Sequence, residues 1–98
     1  MKKSFAKKFS LVRKSKSLSK QLSKASTDAS TESDPVKKLH KQIKVAKLTK
    51  ELTKVGNSQA KVEASLGKKI SEYKAKGALQ SKLADIEIAK MNKKLASL

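Results

Sequence analysis

DPVKKLHKQIKVAKLTKELTKVGN, residues 34–57, decides what kind of fold this chain adopts. Asp34 followed by Pro35 marks a helix start: the carboxylate accepts a first-turn amide, and proline at the first helical position gives up no intrahelical bond. At the helical advance of about 100° per residue, Val36, Leu39, Ile43 and Ala46 fall on one face, and Val45, Leu48, Leu52 and Val55 fall nearly opposite. Lysines fill the face opposite each half-stripe: Lys37, Lys41 and Lys44 first, then Lys47, Lys50 and Lys54. One straight helix therefore requires two partners, and whichever face packs, a basic one stays exposed. Gly56 and Asn57 tolerate left-handed backbone angles, so the helix is expected over about residues 35–55, with a second beginning near residue 58.

Farther on, Val62, Leu66, Ile70, Tyr73, Ala84, Ile88, Met91 and Leu95, together with Gly77 and Leu98, lie within about one quadrant of a helical wheel. Their spacing averages close to 3.6, which suits a straight helix better than a heptad coiled coil. They form one apolar seam, either the core of the fold or an oligomer interface. Gly77 costs about 1 kcal/mol relative to alanine in a helix, and Leu79, Leu83 and Ile86 open a second stripe just after it. A break there gives helices over about 58–75 and 79–97; without it the two are one long helix. The expected fold class is all-α, a small helical hairpin or three-helix bundle.

The chain has 98 residues, with 25 Lys or Arg against 8 Asp or Glu, a formal charge of +17, and only three aromatics. That length supports one small domain with a marginal core. Residues 1–24 hold nine basic residues, no acid and many serines, and read as an extended or conditionally helical tail. Phe5, Phe9 and Val12 form a short apolar stripe within it. Residues 25–34, ASTDASTESD, are acidic and Ser/Thr-rich, with little to bury, and read as a linker to the helical domain of residues 35–98. No apolar run approaches the length of a membrane-spanning helix, and no secretory signal is recognisable.

Enzymatic chemistry fails on inventory. There is no cysteine, His40 is the lone histidine, and the acids after residue 35 are scattered among lysines. Neither a metal site nor a nucleophilic triad can be assembled, and the three glycines match no phosphate-cradling motif. No cofactor and no metal are expected.

The positive charge is the functional signal. Self-repulsion in a +17 domain is relieved when phosphates displace counterions along it, so the expected partner is nucleic acid, RNA or DNA. All bases but Arg13 are lysines, flexible point charges that bind backbone without the bidentate fork that reads guanine. The candidate binding residues are Lys2, Lys3, Lys7, Lys8, Arg13, Lys14, Lys16, Lys20 and Lys24 in the tail, with Lys37, Lys41 and Lys44 on the first helix. The setting expected is a nucleoprotein particle, ribosomal, nucleoid or virion, in the cytoplasm, an organelle or the virion itself. Two alternatives carry different mechanisms. One is a scaffold that self-associates through the apolar seam and binds an acidic protein. The other is a membrane-surface binder acting through the basic N-terminal segment, which also has the Ser-rich, acid-poor composition of a transit peptide.

Lys76-Gly77-Ala78-Leu79, followed by Ala84, by Ala89-Lys90-Met91 and by Lys93-Lys94-Leu95, resembles the C-terminal helix of bacterial-type ribosomal protein twenty of the small subunit. Gly56-Asn57 resembles that family's first turn, so the likeness covers about the last 45 residues. Gln80-Ser81-Lys82 and Asp85-Ile86-Glu87 stand where the family has a His-Lys-Asn run and arginines. The resemblance implies a basic three-helix bundle that binds small-subunit rRNA and has no enzymatic activity.

Overall fold

The computed structural model describes residues 2–98 and is all-α, with three helices: α1 (Lys2–Thr31), α2 (Pro35–Lys74) and α3 (Ala78–Ala96). Asp34 opens α2 as its sequence context predicts. Its Oδ1 accepts hydrogen bonds from the amides of Val36 at 2.9 Å and Lys37 at 3.1 Å, which satisfies two first-turn donors. Gly77 separates α2 from α3 with φ +152° and ψ 172°, a backbone conformation essentially restricted to glycine.

Two expectations about helix limits require correction. The tail and most of the presumed linker are one helix that continues to Thr31, leaving only residues 32–34 as the connection to α2. Its Ser/Thr-rich end is helical because Ala25 and Ala29 are buried, and the helix leaves the hydroxyls of Thr27 and Thr31 satisfied by the carbonyls of Ser23 and Thr27 one turn back. The second correction concerns Gly56-Asn57, which does not end a helix; α2 runs through it for 40 residues. Glycine there faces open space, and its propensity cost is offset by burial on both sides, at half-buried Leu52 and buried Val55 before it and at half-buried Val62 and buried Leu66 after it.

The burial pattern along α2 explains that continuity. Val45, Leu48, Leu52, Val55, Gln59, Val62 and Leu66 are buried or half-buried at alternating steps of three and four. The 3.6 average from Val62 to Leu98 spans two separate helices, and within α2 burial follows a seven-residue repeat. Of the two faces of residues 36–55, the one bearing Leu48 and Val55 packs. Val36, Leu39 and Ile43 are left 63%, 61% and 53% exposed.

The chain forms two compact units. Arg13–Ser58 is an antiparallel pair of helical segments around Leu18, Ala25, Ala29, Leu48 and Val55, with Lys41 paired to Glu32 at 3.3 Å beside the connection. The other unit joins Met1–Val12 to Gln59–Leu98 and buries Phe5, Leu66 and Ala84, the last completely. There Lys8 pairs with Glu63, and Lys74 pairs with Asp85 at 2.8 Å across the Gly77 turn. The seam residues of the sequence reading all belong to this unit. Leu66 and Ala84 are buried, whereas Val62, Ile70, Tyr73, Ile88, Met91 and Leu95 are half-buried. Leu79, Leu83 and Ile86 stand on the outside.

Candidate nucleic-acid interface

Basic residues outnumber acids about threefold in both units. The unit of residues 1–12 and 59–98 carries thirteen basic residues against four acids, a charge of +9, and Arg13–Ser58 carries twelve against four, a charge of +8. Charge is thus spread evenly along the chain, and each unit supports a basic surface of its own.

In Arg13–Ser58, the helical advance puts Arg13, Lys16, Lys20 and Lys24 on the side of α1 opposite Leu18, Ala25 and Ala29. All four are exposed, at steps of three and four residues, so they form one basic ridge. Lys14 is exposed on the flank of the same segment, and Lys37 and Lys44 are exposed on α2. Lys41 is different: half-buried and paired to Glu32, it holds the helix connection.

In the other unit Lys2, Lys3 and Lys7 are exposed, while Lys8 is half-buried and engaged by Glu63. Lys8 and Lys41 are therefore structural ion-pair partners, and the remaining ten predicted residues are exposed cations. Lys3 and Lys7 share a cleft of about 310 Å³ with Lys61 and Lys69 of α2. Ser4 and Ser65 add hydroxyls, and Val62 gives the cleft an apolar patch. Ser4 is buried, and its hydroxyl accepts a hydrogen bond from the Lys69 ammonium at 3.0 Å. Lys61 and Lys69 escaped the sequence reading, since only the antiparallel return of α2 brings them to Lys3 and Lys7. The available signal was the three-and-four spacing from Val45 to Val62, which runs through Gly56 and demands one long helix.

The chain matches no family model, no curated protein and no solved structure. Among the described residues no group of three His, Cys, Asp or Glu side chains converges as a metal site would, and no helix is long and apolar enough to cross a membrane. His40 is exposed on α2, among lysines. Near the end of α3, Lys90, Lys93 and Lys94 surround Met91 and Ser97 in a shallow depression, a further basic patch in the same unit. The Lys76 ammonium sits 5.7 Å from the centroid of the Tyr73 ring, which holds that amine beside the turn.

Proposed function

We propose that this is a non-enzymatic, all-helical protein that binds the sugar-phosphate backbone of nucleic acid inside a nucleoprotein particle. One observation carries the reading: 25 basic residues have only three ion pairs among the described residues, so most ammonium groups face solvent with no carboxylate beside them. Such a surface releases counterions when phosphates approach, and that release drives association. The near absence of arginine favours backbone contact over base reading. The resemblance of the C-terminal part to a small-subunit ribosomal family inclines the reading toward structured RNA.

The test is a titration of RNA and DNA duplexes across salt concentrations. With six to ten phosphates neutralised, affinity falls by about 10³–10⁵ between roughly 50 and 200 mM salt, with little difference between sequences. A flat salt response overturns the reading.

A second reading rests on the uncovered stripes Val36-Leu39-Ile43 and Leu79-Leu83-Ile86, which favour self-association into a scaffold that binds an acidic partner. Sedimentation of nucleic-acid-free protein decides between them: a stable oligomer supports the scaffold, and a monomer removes it.

A further inference from the structure

We infer that the cleft of Lys3, Lys7, Lys61 and Lys69 is a discrete site for a ligand bearing two or more adjacent phosphate groups. Lys3 and Lys7 are one turn apart on α1, and Lys61 and Lys69 are about two turns apart on α2, so lysines of two helices line one space. Among the described residues no carboxylate lines that space. Glu63, the acid nearest in sequence to the α2 wall, is held by Lys8 instead.

Four lysines around one cleft repel one another, and their chains are long enough to diverge into solvent. Lys69 is held in place: the buried Ser4 hydroxyl accepts a hydrogen bond from its ammonium and anchors it at the cleft. Ser4 thus acts as a positioning residue for Lys69. The Ser65 hydroxyl supplies a neutral donor for a phosphate oxygen. The volume, about 310 Å³, is roughly ten times a water molecule's share of the liquid, more than a single phosphate fills. Two adjacent phosphates match both the space and the charge. They come either from consecutive positions of a nucleic-acid strand, in which case the inference deepens the function proposed above, or from a free oligophosphate, in which case it stands apart.

The experiment titrates pyrophosphate into the full chain at low salt and follows heat and the side-chain NMR signals of lysine. A single saturable site per chain is expected. The double variant Lys61→Gln/Lys69→Gln weakens it at least tenfold, whereas Lys20→Gln/Lys24→Gln, which removes the same charge from the α1 ridge, changes it less than twofold. Ser4→Ala, which leaves net charge unchanged, weakens it several-fold and broadens the Lys69 signal alone. Far-UV circular dichroism confirms that each variant keeps its helices. Displacement of pyrophosphate by a short RNA duplex assigns the site to a strand, and lack of displacement assigns it to a free oligophosphate. Absence of a saturable site, or equal weakening by the two double variants, overturns the inference. Because unaltered protein is titrated with RNA separately across salt, loss of the cleft site and loss of backbone binding register as different results.

Discussion

Arg13–Ser58 closes with two helical segments, the unit of residues 1–12 and 59–98 closes with three, and their cores differ accordingly. The two-segment unit buries Leu18, Ala25 and Ala29 of α1 and Leu48 and Val55 of α2, and the two alanines let the helices approach closely where they lie. A pair of helices hides one stripe of each, so Val36, Leu39 and Ile43 find nothing to cover them. The three-segment unit has a partner for a second direction. Phe5, Leu66 and Ala84 come from three different helices, and Ala84 is 0% exposed. Apolar patterning in a helix states how many faces could pack, and the number of neighbours determines how many do.

The comparison breaks most easily at the two faces of α2. Leu48→Lys places an unpaired charge in the two-segment core and costs more than about 3 kcal/mol, enough to unfold it, whereas Ile43→Lys on the exposed face stays within about 0.5 kcal/mol. Thermal melts followed by circular dichroism separate these outcomes, and similar melts for both would dissolve the distinction between faces. In the three-segment unit Leu66→Ala opens a cavity at a position 3% exposed and costs about 3 kcal/mol, seen as a lowered denaturant midpoint. Gly77→Ala forces a side chain onto a glycine-only conformation and costs about 1–3 kcal/mol, although the new methyl would meet only the flexible Gln80 amide oxygen at 3.3 Å. The smallest effect has the opposite sign. Gly56→Ala adds a methyl in open space on a continuous helix and stabilises the fold by about 0.5–1 kcal/mol; destabilisation there would mean that the helix is interrupted.

Much of this architecture was legible in the residues. Asp34-Pro35 marks the start of α2, Gly77 offers a break that the residues alone leave open against one long helix, and the two stripes of residues 36–55 are visible in the spacing. What misled was local composition. Gly56-Asn57 looks like a stop because its propensity is poor, yet Val55 and Leu66, on the same packed face, outweigh that cost. ASTDAST looks like a linker because it is polar, yet two alanines four residues apart suffice when α2 returns alongside. For the site, exposure of the lysines followed from their number. Which of them gather did not, because Lys3 and Lys69 meet only through a helix that local rules would have cut.

The scarcity of ion pairs has one more consequence. Every amine without a carboxylate neighbour adds to a mutual repulsion that works against the compact helices, and dissolved electrolyte screens that repulsion over about 10 Å at 0.1 M. Adding salt thus tightens the isolated protein while it loosens the proposed grip on a phosphate backbone. Folding and binding answer the ionic medium in opposite directions, and a polyanion takes over, at low electrolyte, the screening that small ions provide at high.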